Sequence, residues 1–264
     1  MRRLIVNADD FGFTRDVNEG IVDAHRRGIL TATTLMANGP AFEHAAALAR
    51  GCPALDVGCH LVLVGGRSVA NPSRDLPRSV GALGWQLVRS GWVEGEFEAQ
   101  VEKILGAGVR PSHLDTHKHT HLAPPVLEAV CRIARRFSIP WVRRPFDLPL
   151  TASAPAGVRA VNAGMRSVRR WFDLTIRRYG CRTTDHFAGF QLTGRFRAAE
   201  LAALIRQLPE GVTEFMCHPG RCTDELRAAP TRLKESRAEE LAALVSDEAR
   251  RAVEESGVEL INYR

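Results

Sequence analysis

No run of about 20 apolar residues interrupts this 264-residue sequence, which excludes a helix built to span a bilayer. Its start, "MRRLIVNADDFG", turns polar too soon to hold the apolar stretch of a secretory signal. Six cysteines (Cys52, Cys59, Cys131, Cys181, Cys217 and Cys222) form no CxxC pair and no dense framework. That spacing excludes a disulfide scaffold and reads as mostly buried thiols in a reducing cytoplasm. No GxGxxG follows the first apolar run and no GxxxxGK[ST] occurs, so neither a dinucleotide fold nor a phosphate-binding P-loop is supported. Internal repeats, low-complexity tracts and linker-like shifts of composition are missing as well.

What is present is an alternation of β-rich runs with helical patterns. "RLIVNA" precedes a helix near Arg15 to Arg27, and "TATTLMAN" one over Ala41 to Arg50. "DVGCHLVLV" leads through a long connection to a helix near Glu96 to Leu105, and "SHLDTH" to one at Pro124 to Arg136. "PWVRRP" precedes a basic helix, "DHFAGF" a helix at Ala198 to Leu208, and "TEFMCHPG" a charged helix over Ser236 to Glu255, with "VELINY" last. About eight βα units in series predict an α/β fold with a parallel sheet, and at this length a TIM-like (β/α) barrel, distorted or with seven to eight strands. A doubly wound open sheet gives the same alternation and stays open as the alternative. The expected organisation is one domain over residues 1–264, with long loops at about 65–95 and 145–160. Both follow strands, so both are candidate lids or substrate walls.

Net charge is +6, and much of it lies in Arg166 to Arg182, which carries six arginines against one aspartate. Val168, Trp171, Phe172, Thr175, Ile176 and Tyr179 follow helical spacing there, with the arginines largely opposite. One reading is a surface helix with a solvated basic face. The other is a face that rests on a membrane or an acidic partner.

Polar groups gather at the ends of the predicted strands. Asp9 and Asp10 close the first, His60 lies in the third, Asp115 and His117 close the fourth, and His218 closes the seventh. A parallel barrel brings such ends to one face. "SHLDTHKHTHLAP" holds four of the nine histidines. At strand period two, His113, Asp115 and His117 share a face, as would His119 and His121 if the strand continued. Ligands drawn from Asp10, His60 and His117 would make an open metal site. Mixed carboxylate and imidazole ligation suits zinc, and also cobalt, nickel, manganese or iron, whereas magnesium prefers more oxygen. A hydrogen-bonded core histidine at position 60, and a turn or helix cap at Asp10, are the plain alternatives. Adjacent strand residues point to opposite faces, so Asp9 and Asp10 reach one site only if the chain turns there, and Gly12 supplies a break. One carboxylate could then hold a cation while the other takes a proton from water. His218 of "EFMCHPG" is a candidate proton donor. Cys217 and Cys59 are expected to pack on the opposite face from their histidine neighbours.

Together "NADDFG", "GCHLVL", "HLDTHKHTH" and "CHPG" resemble the YdjC-like carbohydrate deacetylase family, which includes the chitooligosaccharide deacetylases. The resemblance runs from about residue 3 to residue 263. It implies a TIM-like barrel and metal-dependent hydrolysis of an acetamide on an amino sugar. It further implies Asp10, His60 and His117 as metal ligands, Asp9 as general base and His218 as general acid. One divalent ion is expected, zinc first, with magnesium or another metal as alternatives. An arginine after the fifth strand is expected near the site, Arg143 or Arg144, with Arg143 preferred. Substrate contacts are expected from Asp115, His119, His121 and Asp185. "DHFAGFQLTGR", "GVTEFMCHPG" and "LKESRAEEL" look most like the hopanoid-biosynthesis-associated branch, which implies an N-acetylglucosaminyl hopanoid as substrate. A chitobiose-type oligosaccharide, or an ester or phosphoester cleaved by the same site, is the alternative. Expected partners are that sugar or glycolipid, a membrane touched through Arg166 to Arg182 at its cytoplasmic face, and a second copy in a homodimer. Nucleic acid is not expected.

Overall fold

The computed structural model describes residues 1–87, 91–148 and 155–264. These residues include eight parallel strands: β1 (Arg2–Phe11), β2 (Ala32–Leu35), β3 (Asp56–Leu61), β4 (His113–Thr116), β5 (Trp141–Val142), β6 (His186–Ala188), β7 (Gly211–Cys217) and β8 (Glu259–Leu260). They are ordered β5-β4-β3-β2-β1-β7-β6. β1 pairs β7 along one edge from Arg2 to Ala8. Along its other edge it meets β8 at Arg3 and Leu4 and then β2 from Asn7 onward. The two outer strands approach each other through isolated parallel bridges, Trp141 with Arg182 and Asp147 with Phe187. The sheet thus curls into the distorted TIM-like barrel that the alternation predicted, seven strands around and β8 appended.

The pleat of β1 sorts its side chains. Leu4, Val6 and Ala8 join the large core shared with the helices, including Val17, Ile21 and Ala24 of the helix Arg15–Arg27. Ile5 faces inward and closes one end of the barrel with Ala32, Val212 and Tyr263. Above that plug the barrel is polar. Asn7 bonds His113 (3.0 Å) and Asp9 (3.2 Å), and Arg143 reaches Asp9, Asp115 and Glu214 from three other strands. Gly58 on β3 makes room for this filling, since a Cβ there would lie 2.6 Å from the His113 ring.

Several expectations need correction. β4 ends at Thr116, and Lys118 and His119 take left-handed backbone angles (φ 56 and 50), so the chain enters a 3-10 turn, His117–Leu122. The period-two alternation therefore stops at His117. The basic segment forms two helices, Ala156–Ser167 and Arg169–Tyr179, because Val168 ends one and its carbonyl opens the next by accepting Phe172 N–H. Phe172, Thr175 and Ile176 are buried as their spacing implied, and Arg166, Arg170, Arg177 and Arg178 are exposed. The charged helix likewise divides into Glu235–Leu244 and Asp247–Glu255. The Ser246 hydroxyl accepts Ala249 N–H there, a cap that starts a new helix. Of the two long loops, residues 88–90 and 149–154 lie outside the described residues. No helix among the described residues is long and apolar enough to cross a membrane.

Candidate active site

The strand ends do converge. Asp10 sits at φ 69, in the left-handed region, and the β1–β2 register shifts between Ala8 and Phe11. This bulge, followed by Gly12 at φ 102, is the turn that "DD" required, and it brings both carboxylates to His60. Such a backbone costs on the order of 1–3 kcal/mol for a non-glycine residue and is typical of functional sites. Asp10 Oδ1 lies 3.3 Å from His117 Nδ1 and 3.5 Å from His60 Nε2, and the two ring nitrogens are 3.2 Å apart.

Each buried charge has its own support. Asp9 receives Arg143 Nη1 and Nη2, both at 2.7 Å. Burial alone would raise the Asp9 carboxyl, and the guanidinium outweighs it and holds the group well below the usual carboxylate range. Arg143 also donates to Glu214 (2.6 Å) and pairs with Asp115 (2.8 Å), while only 1% of its surface is exposed. Asp10 is likewise held low against burial, chiefly by Arg237, which pairs with its Oδ2. Asp115 accepts from Thr34 and lies 2.7 Å from His60 Nδ1, which directs Nε2 toward Asp10.

Two groups of side chains among the described residues could hold a metal ion: Asp10, His60 and His117, and Asp9, His60 and Asp115. The first fits better. Among the described residues nothing hydrogen-bonds the buried Asp10 Oδ1, whereas Asp9 and Asp115 are committed to Arg143. Burial opposes a charge on His60, yet Asp115, Asp10 and Asp9 push it up to about 10. A field that retains a proton there would also retain a cation, in competition with that proton.

These residues open on a cleft of about 550 Å³. His218, at the end of β7, lines it and donates its backbone N–H to Glu240 (2.6 Å), while its Nδ1 has no partner among the described residues. Burial pushes His218 down to about 4 against the opposing pull of Asp9 and Asp10. His119 lines the cleft, but the other expected substrate contacts do not. Asp115 is buried behind His60, and His121 is buried on Thr116 and the Arg143 carbonyl. Asp185 precedes β6 and accepts Val212 N–H at the start of β7, the opposite end of the barrel. Arg144 is committed to Asp173 on the outside, so Arg143 is the arginine of the site. Cys59 and Cys217 pack into the outer core, where burial holds both thiols well above their ordinary range, so neither is a ready nucleophile.

The cleft wall comes from the segments after β6 and β7, with Phe190, Gln191, Thr193, Leu233 and Arg237 among its residues, and from Val158. None of the described residues of the 65–95 loop lines it. Asp147 holds one of these segments by accepting Phe190 N–H (3.1 Å) and Gln191 N–H (2.7 Å). Burial pushes its carboxyl up to about 6 from an ordinary 3.8, with those N–H bonds opposing. The folded protein therefore binds the extra proton between these values, so this contribution to stability is full below about 4 and is lost as pH rises through about 6. Between pH 4 and pH 7 the wild type should lose on the order of 2 kcal/mol relative to Asp147→Asn, read from urea midpoints of both proteins. Parallel pH profiles would show that Asp147 is not strained by its burial.

The fold and the site define an α/β-barrel protein with a carboxylate and imidazole cluster at the C-terminal ends of its strands. The chain belongs to the YdjC-like protein family, whose profile matches residues 3–255. It is 36% identical to a Carbohydrate deacetylase of Geobacillus stearothermophilus, over 100% of this chain and 97% of that protein. It is 32% identical to a Carbohydrate deacetylase of Vibrio vulnificus (strain CMCP6), over 99% and 95%. A solved structure from Enterococcus faecalis V583, a protein named for cellobiose-phosphate cleavage, superposes with a TM-score of 0.75 at 26% identity, covering 99% of this chain and 97% of that one. The lactam utilization protein of Thermus thermophilus shares the fold at a TM-score of 0.51 and 14% identity, covering 98% of each chain.

Proposed function

We infer that the chain is a carbohydrate deacetylase, a hydrolase of C–N bonds other than peptide bonds, and we propose that it is metal-dependent and acts on an N-acetylglucosaminyl hopanoid. The observation that carries the chemistry is the approach of Asp10 Oδ1, His60 Nε2 and His117 Nδ1 to within 3.2–3.5 Å of one another, with the ionised Asp9 beside them. Support for the substrate comes from the branch-like segments "DHFAGFQLTGR" and "LKESRAEEL". A cleft lined by Phe13, Phe190, Met216 and Leu233 as well as by the charged cluster also suits a sugar joined to an apolar body.

Asp10, His60 and His117 would hold a divalent cation, zinc in first place. Bound there, it would polarise the acetyl carbonyl and lower the pKa of water. Asp9 takes a proton from the water whose oxygen bonds to the carbonyl carbon. Fixed by two bonds from Arg143, it gains aim and a constant charge at the expense of basicity. His218 enters neutral, and its position in the same cleft suits passing that proton to the nitrogen as the C–N bond breaks. Acetate and a free amino sugar result.

The test is product analysis of zinc-loaded protein with N-acetylglucosaminyl hopanoid and with chitobiose in parallel. Loss of one acetyl from the hopanoid is expected. Loss from chitobiose alone moves the substrate to the chitooligosaccharide reading, and no acetate from either sinks the deacetylase. Asp10→Ala should lose bound zinc and activity together, measured as metal per protein and acetate released. An active Asp10→Ala protein with full zinc would remove Asp10 from the ligand set.

A further inference from the structure

The helix Ala156–Ser167 is thinly packed, with Val158 and Met165 half-buried on its inner side, Met165 against the core. Its one buried residue is Asn162, while Ala156, Ala160, Val161 and Ala163 are exposed, Val161 at 54%. A helix of a globular protein turns its apolar stripe inward. The next helix, Arg169–Tyr179, buries Phe172 and Ile176 but leaves Leu174 57% exposed. Arginines surround these apolar groups. Arg166, Arg169, Arg170 and Arg177 line a shallow groove with Leu174, and the carboxylate in that lining, Asp173, is already bound to Arg144 at 2.7 Å. Positive charge there is therefore in excess. In the first turn of the helix Ala156–Ser167, Val158 lines the active-site cleft.

We propose that the helix pair Ala156–Ser167 and Arg169–Tyr179 docks on the surface of an anionic lipid bilayer, with Val161 and Leu174 entering the acyl boundary and the arginines meeting the headgroups. Apolar groups carried beside arginines are what such a surface accepts, each arginine adding attraction that salt screens. A soluble acidic partner would match the charge but not the exposed Val161 and Leu174. Docking in this orientation brings the cleft mouth at Val158 to the membrane. That consequence rests on the glycolipid reading of the function, whereas the docking itself does not.

The experiment is flotation of the full chain with phosphatidylcholine vesicles, with and without phosphatidylglycerol. The wild type should float with the anionic vesicles and be released as salt rises. Arg170→Glu with Arg177→Glu should weaken partition about tenfold or more. Val161→Asp, which leaves the arginines intact, should weaken it as well. Neither variant should change deacetylation of detergent-dispersed N-acetylglucosaminyl hopanoid, which needs no bilayer. No flotation of the wild type, or equal flotation of both variants, overturns the proposal. So does a short DNA duplex that binds with the same dependence on Val161, because it would replace the lipid surface as the occupant. Vesicle binding without turnover of embedded N-acetylglucosaminyl hopanoid would leave docking standing and reject the substrate. Turnover of detergent-dispersed hopanoid without vesicle binding would do the reverse.

Discussion

Asp9→Asn is expected to keep its metal and lose turnover. The substitution leaves Asp10 Oδ1, His60 Nε2 and His117 Nδ1 where they are, and it leaves Asp10 paired with Arg237. Arg143 keeps Asp115 and Glu214 as partners, so its charge is not left alone in the barrel interior. What disappears is the one carboxylate lining the cleft, among the described residues, that is not a proposed ligand. Loss of a positioned proton acceptor costs about 10²- to 10⁴-fold in rate. The check is zinc content by elemental analysis beside kcat for acetate release at saturating zinc. Full activity would place the base elsewhere. Parallel loss of zinc and activity would make Asp9 a ligand instead.

Much of this site was legible in the sequence because strand ends in a parallel barrel share a face. The alternation of runs pointed to the barrel, and the polar residues closing the first, third, fourth and seventh runs pointed to Asp9, Asp10, His60, His117 and His218. What escaped is what lies one layer further back. Glu214 sits within the apolar run of β7, and a charge in the middle of "GVTEFMC" was a readable sign of a polar interior. Arg237 and Glu240 belong to a helix whose charges fall on buried and exposed positions alike, with Glu235 and Glu239 exposed, so nothing in "ESRAEEL" marks these two as the buried ones. The histidine run misled for a local reason. Lys118 and His119 adopt left-handed angles that no periodicity reveals, and so His119 and His121 part company.

The adjacent carboxylates show how the interior tolerates its charges. Asp9 and Asp10 are both buried and both held ionised, which two neighbours sharing one environment would resist. The bulge separates their partners: Arg143 from β5's end serves Asp9, and Arg237 from the helix after β7 serves Asp10. Of the pair's oxygens, Oδ1 of Asp10 is the one without a hydrogen bond among the described residues, and it faces His60 and His117. The electrostatic problem of the pair is thus solved twice over by arginines, and the remaining lone pairs point to where a cation would sit.

Arg143→Met is expected to destabilise the fold more than any other single change in the site. Methionine matches much of the aliphatic stem but leaves Asp9, Asp115 and Glu214 buried without their shared cation. Removing one partner of a buried ion network costs about 3–5 kcal/mol, because the charges left behind are uncompensated. Lysine should be intermediate, since one ammonium cannot reproduce two bonds to Asp9 and a third to Glu214. The loss must also depend on pH. Asp9 is depressed by Arg143, so its share of stability is present above about 4 and fades as pH falls further. Burial already lifts Glu214 above its ordinary value against the pull of Arg143, so without the arginine it should take up a proton more readily still. Urea midpoints should therefore separate wild type and Arg143→Met widely at pH 7 and less at the acid limit of the folded range. An Arg143→Met protein as stable as wild type at pH 7 would mean that water or a proton replaces the guanidinium. The polar interior would then be wetter than its hydrogen bonds describe.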